Sequence, residues 1–426
     1  MRTFTLCALA AAFAASPVNA TTFDVNSEAD VPDDSVGDGT CHAVLGLPGV
    51  CTLRAAVQEA NAHAGSDTIS LSAGQVYALT RSGQDDTALN GDLDIDDNVS
   101  ILFFASGERP VVDANGLERA FEIHSGNVTM LGFDITGGDA SLPLDAAGGG
   151  IAINFDAGTV QLSLMRIHGN RANFGGGLYN DGANTTLSAS EVYDNEQASG
   201  GVDHTGGGIR NRGTLRIEYS SVYANHGEGE LGTVAVSNEP PNTGPASMTV
   251  VNSTIASNIG VGLESASNGA THEASLALRN ATIGGNTATG LRIAGSGGSY
   301  SARNSVVASN AGADCQVSSS VLLDLDLDHY NIDSDDTCEL GDGASNAPGI
   351  DARLTPLARR GGPTLVSWPV TTSPLIEFGP AIGCEDDDQQ FGDRPVDFDG
   401  SGSARCDIGA IELQSDVIFF EPFDRL

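Results

Sequence analysis

The sequence predicts an all-β chain folded as a right-handed parallel β-helix (a solenoid), with a short N-terminal capping helix and a C-terminal disulfide-stapled cap. A repeated glycine motif and three apolar columns point to it. Phe174-Gly-Gly-Gly-Leu-Tyr-Asn180 returns as Thr205-Gly-Gly-Gly-Ile-Arg-Asn211. An aliphatic residue also stands three before a recurring asparagine: Ile167 with Asn170, Val192 with Asn195, Val222 with Asn225, Ile255 with Asn258, Ile283 with Asn286 and Val307 with Asn310. Ile135 with Gly138 reads as an earlier, degenerate copy. Five residues before each aliphatic anchor lies a second column, Met130, Leu162, Leu187, Ile217, Val250, Leu278 and Ala302. Ile151, Leu178, Ile209, Leu263 and Leu291, each directly after a glycine, form a third. Three short apolar strands per repeat cannot bury a face alone, but they can when coils stack. In such a stack each side chain lies over its equivalent one rung up, so aliphatics form ladders and asparagines hydrogen-bond along a turn column.

The elements follow in chain order. Residues 1–20 carry Arg2, an apolar stretch and Val18-Asn19-Ala20, the pattern of a cleavable secretory signal that also takes in Cys7. No later stretch approaches the ~20 apolar residues that span a bilayer, so no transmembrane segment is expected. Residues 21–66 form an N-terminal cap. Within it Leu53, Ala56, Val57 and Ala60 fall at i, i+3, i+4 and i+7, with Thr52 placed as N-cap and Gly65 as stop. This helix is expected to plug the open end of coils that run over 67–345. A C-terminal module covers 346–413, and the apolar tail at 414–426 covers the last coil or serves sorting.

Six cysteines remain beyond the signal. An even number in an exported chain favours disulfides, and sequence proximity pairs Cys41 with Cys51, Cys315 with Cys338 and Cys384 with Cys406. None has zinc-site spacing. The chain carries 56 acidic and 19 basic residues, a formal net charge of −37, and every basic residue is arginine. With no lysine, Schiff-base chemistry is excluded, and with no basic stripe nucleic acid is not a partner. A monomer is expected.

Gly37 to Ala62, "GDGTCHAVLGLPGVCTLRAAVQEANA", resembles the N-terminal signature of bacterial CSLREA-domain proteins, whose block falls on Cys51 to Ala56. Ala55 replaces the family's glutamate, which removes one return bond of a capping box. The segments "GGPTLVSWPV" and "DRPVDFDGSGSARCDIGAIE" are similar to the C-terminal part of choice-of-anchor Q proteins, and the middle resembles pectate-lyase-like β-helices. The resemblance implies an exported or surface β-helical protein. It implies no activity, because that superfamily mixes lyases, hydrolases and adhesins.

Candidate chemistry is sparse. Asp397, Asp399 and Ser401 place oxygen ligands at alternate positions of a glycine-bearing turn, as a structural Ca2+ loop would, although Ile408 stands where an EF-hand needs glutamate. The acidic stretches at 91–98 and 323–328 read as strands with apolar residues inward and acids outward. Residues following the aliphatic anchors point outward, which sets His168, Tyr193 and Tyr223 in one surface column beside Arg166 and Glu191. Aromatic faces flanked by charges suit a sugar chain, and the same stripe also arises from plain turn packing. If the chain is an enzyme, Glu191 and Asp194 are the carboxylate pair nearest that column. His204 and His226 read as loop and turn histidines. The leading expectation is a non-catalytic secreted or cell-surface β-helix that binds an extracellular polysaccharide or serves adhesion. The alternatives are a polysaccharide lyase or glycoside hydrolase, and a structural surface spacer.

Overall fold

The computed structural model describes residues 20–414 apart from 44–48, 143–146, 199–205, 228–233, 242–243, 270–271, 319–321, 324–329, 339 and 341–344. Residues 1–19 of the expected signal, His204, the acidic residues 324–328 and the tail from 415 onward therefore lie outside the described residues. The chain winds as a right-handed parallel β-helix with sheets of eleven, ten and nine strands along its length.

Each apolar column of the sequence is one ladder. Ile135, Ile167, Val192, Val222, Ile255, Ile283 and Val307 are successive register partners in the ten-stranded sheet. The column from Met130 to Ala302 does the same in the eleven-stranded sheet. In the nine-stranded sheet, Val236 fills the rung between Ile209 and Leu263, on a coil that lacks the triple glycine. The repeated glycines exist because coils approach backbone to backbone at that corner. A Cβ on Gly176 would sit 2.4 Å from the carbonyl oxygens of Glu196 and Gly207, and one on Gly207 would sit 2.2 Å from that of His226. Any side chain there would force the coils apart.

Polar ladders fix the corners between sheets. Asn170, Asn195, Asn225, Asn258, Asn286 and Asn310 are linked in order, each Nδ2 donating to the next Oδ1 at 2.9–3.1 Å. Every one of those acceptor oxygens also takes the backbone N–H of the preceding asparagine. The residue before each ladder asparagine is left-handed, with φ between +51° and +67°. That conformation swings the amide inward over the turn. A second buried ladder joins Asn180, Asn211 and Asn238 to Ser265. A third uses hydroxyls: Ser190, Ser220 and Ser253 accept the backbone N–H groups of Met165, Ser190 and Ser220. The sequence pattern anticipates the first ladder; the other two add to it.

The N-terminal cap contains the helix Leu53–Ala62, with Thr52 as N-cap accepting from the Ala55 N–H. It ends at a His63 C-cap, two residues before Gly65. Arg54 is buried and ties the cap to the first coils. Its guanidinium pairs with Asp30 at 2.5 Å and donates to the carbonyls of Ala88, Gly91 and Asp92. All three expected disulfides are present, Cys41–Cys51, Cys315–Cys338 and Cys384–Cys406.

The asparagine ladder sets the first prediction. Asn225→Ala removes the acceptor of both the Asn195 backbone N–H and its Nδ2, and leaves Asn258 Oδ1 with only the backbone N–H of residue 225, in a buried column. Orphaned buried polar groups cost about 1–3 kcal/mol each. The urea unfolding midpoint should therefore fall by an amount worth about 2 kcal/mol or more, with the native fold retained.

Candidate functional site

His168, Tyr193 and Tyr223 are register partners on the outer side of the ten-stranded sheet. The parallel spacing places each ring directly over the next. Ring centroids lie 4.8 and 4.9 Å apart, with interplanar angles of 13° and 2°. Thr136 Oγ1 sits 3.5 Å from His168 Nδ1 at one end, and Tyr223 pairs with Ala256 at the other, so the aromatic run spans three coils. This geometry revises one expectation. The rings spend their faces on one another, so the column presents polar edges rather than flat faces on which a sugar would stack. Burial pushes the His168 imidazole below its usual range, which leaves it neutral at pH 7, and pushes both phenols up.

The two expected carboxylates receive different surroundings. Glu191 is buried, 2% exposed, and saturated with donors: Arg166 Nε at 3.2 Å, Arg359 Nη2 at 2.7 and 2.8 Å, and the Leu365 N–H at 3.1 Å. Arg359 and Leu365 belong to a small antiparallel hairpin, Ala358–Arg359 against Leu365–Val366. Asp194 instead occupies the exposed left-handed turn at φ +51°. A glycosidase needs one free carboxylate as nucleophile or base and another as acid flanking the scissile bond. Glu191 is a structural anion under a cover, and sequence reasoning had no signal for a partner 168 residues away.

That cover is the C-terminal module, which lies along the flank of the β-helix rather than across its end. Gln389 Nε2 donates to Ser221 Oγ and the Ser220 carbonyl, and Thr254 Oγ1 donates to Gln389 Oε1. The Ala410 N–H donates to Thr282 Oγ1, and the Gly409 N–H to the Asn304 carbonyl. Small outward residues on successive rungs, Ser221, Thr254 and Thr282, give the module its seat. Inside it, Arg394 and Glu412 form a fully buried pair, and Asp407 and Asp388 lie close by. Burial, above all, holds Asp407 up at about 6 and Glu412 at about 7, with Arg394 opposing.

Among the described residues, two groups of side chains have metal-ligand composition. In the module, Glu377, Asp397 and Asp399 bring carboxylate oxygens within 4.8 Å of one another. Ser401 and Gly402 donate their N–H groups to Asp397, and the Ser401 N–H also reaches Asp399, which closes the turn. Glu377 supplies from a separate loop the carboxylate that Ile408 does not. The second group, Asp94, Glu122 and His124, lies at the N-terminal end on the nine-stranded sheet. His124 Nε2 is 3.0 Å from Asp94 Oδ1, and Asn154 Nδ2 lies 2.9 Å from both Glu122 Oε1 and His124 Nδ1. Within 91–98 two of the outward acids are covered. Leu93 and Ile95 do point inward, but Asp92 and Asp94 are 3% and 1% exposed, because the 82–91 loop folds over them and the Ala88 N–H donates to Asp94 Oδ2. A cavity of about 430 Å3 lined by Ser82, Gly83, Gln84, Gly91, Leu117, Glu118 and Leu142 opens near them.

No family model and no curated protein matches the chain. Among solved structures, it is similar to the crystal structure of pectate lyase Pel9A, with a TM-score of 0.56 and 14% identity over 93% of this chain and 98% of that one. The likeness defines the class of fold, a pectate-lyase-like parallel β-helix. No helix among the described residues is long and apolar enough to cross a membrane.

The buried acids of the module give a pH signature. Carboxyls held above their unfolded values bind protons in the folded state, so their contribution is present at acid pH and is lost as pH rises through about 6 to 7. Hydrogen exchange of the module amides should be slower at pH 5.5 than at pH 8 once corrected for intrinsic rates. Glu412→Gln should shrink that difference, and an unchanged difference would refute the assignment.

Proposed function

We propose that this chain is a non-catalytic, exported or cell-surface β-helical protein that holds an extracellular glycan along its His168–Tyr193–Tyr223 flank, in capture or adhesion. One observation carries the reading: Glu191, the carboxylate beside the rings, is neutralised by two arginines and shielded by the hairpin. What stays presented is a row of phenol and imidazole edges on rungs 4.8–4.9 Å apart, with Arg166 and Asp194 beside it. Such a row offers hydrogen bonds to successive hydroxyls of an extended chain.

Export is supported by the signal-like segment 1–20 and by three disulfides, which persist in oxidising compartments. With them goes the division into a CSLREA-like cap at 21–66, coils at 67–345, a choice-of-anchor Q-like module at 346–413 and a tail at 414–426, in a monomer. Ca2+ is the ion we assign to Glu377, Asp397 and Asp399, since an all-oxygen anionic set suits a hard cation, and its role there is structural. The alternative of a polysaccharide lyase or hydrolase draws on the shared fold, which hosts many activities.

Affinity electrophoresis through gels containing neutral or uronate polysaccharides tests the binding. The wild-type protein should be retarded by at least one polymer. Tyr193→Phe keeps the ring stack and removes one hydroxyl, so it should weaken retardation by roughly fivefold, the worth of about 1 kcal/mol. A folded protein that runs freely through every gel sinks the proposal.

A further inference from the structure

Away from the ring ladder, one cluster joins metal-ligand chemistry to a buried carboxylate oxygen that accepts no hydrogen bond. Asp94 and Glu122 are register partners on adjacent coils, so the sheet itself fixes their separation, and His124 follows two residues after Glu122. Each of the three offers a ligand atom within 4.8 Å of the others. Asp92, two residues before Asp94 on the same outward side, is 3% exposed, and its Oδ2 accepts no hydrogen bond. That oxygen lies 3.5 Å from Arg119 Nη1, the same nitrogen that bonds Glu122 Oε2, so it faces the cluster. Glu118 also pairs with Arg119, at 3.5 Å. One guanidinium thus serves Asp92, Glu118 and Glu122, and the pocket is short of positive charge.

We infer that Asp94, Glu122 and His124, with Asp92 as a third carboxylate nearby, bind a divalent transition ion of the Zn2+ or Mn2+ kind. An imidazole nitrogen among carboxylates favours such an ion over calcium. His124 Nε2 and Asp94 Oδ1, 3.0 Å apart, have the separation of two neighbouring ligands around one ion with bonds of about 2.0–2.1 Å. The ion takes the place of the proton they share. Asn154 Nδ2 donates to Glu122 Oε1 and orients that ligand from outside.

Calorimetric titration of the chelator-stripped full chain with Zn2+, Mn2+ and Ca2+ separately, with Co2+ as an absorbing probe, tests this. Expected are uptake of one Zn2+ or Mn2+ per chain at the site and a Co2+ ligand-field band. His124→Gln and Glu122→Gln should each weaken uptake by roughly tenfold or more, whereas Asp399→Asn, at the other acidic group, should leave it unchanged. Circular dichroism checks that each variant keeps its β spectrum. Independently of either variant, Zn2+ should shift the His124 Nε2 resonance in 15N spectra of the wild-type protein. No transition-ion uptake, uptake indifferent to both substitutions, or an unmoved His124 resonance would overturn the site.

Discussion

Coil-to-coil register is the constraint on which everything else in this molecule rests, and the buried asparagine ladder from Asn170 to Asn310 enforces it. Aliphatic columns fix which face of a strand is buried, but they choose weakly between one apolar partner and another two residues along. A ladder of amides does not. Each Oδ1 accepts a side-chain and a backbone N–H from the coil before, and a one-residue slip would orphan both in a water-free corner. The left-handed residue before each asparagine and the triple-glycine corners are the backbone conditions for that arrangement.

Register is also what creates the candidate site. Stacked rings on three rungs are the outer echo of the inner ladders, since His168, Tyr193 and Tyr223 follow Ile167, Val192 and Val222 by one residue. The same periodicity places Ser221, Thr254 and Thr282 in a flat run on which the C-terminal module docks. By docking, the module brings Arg359 onto Glu191 and converts the carboxylate nearest the rings into an internal counter-ion. A long solenoid with side chains repeating at every rung offers many carboxylates. What distinguishes them is the environment each receives, and here Glu191 is bonded to the hairpin.

The fold was legible because its cause is periodic. Every column from Met130 or Ile135 onward could be aligned by eye, and the three disulfides joined cysteines near in sequence. Less regular coils hid what they carry. Val236 sits on a coil without the glycine motif, and the Asp94–Glu122 rung precedes the first asparagine, so both escaped alignment. Outward position could be read for the aromatic column, but not that the rings would consume one another's faces. The Arg359–Glu191 contact was beyond reach for a different reason: it joins residues far apart in sequence, and no spacing rule encodes a module folding back along a flank.

The central claim is that this pectate-lyase-like scaffold carries no polysaccharide-cleaving centre on its ringed flank. Prolonged incubation of the purified protein with neutral and uronate polysaccharides, with and without added Ca2+, following polymer length and ultraviolet absorbance of unsaturated ends, tests it most directly. The account predicts unchanged polymers under every condition. Chain shortening that disappears in Glu191→Gln would contradict it.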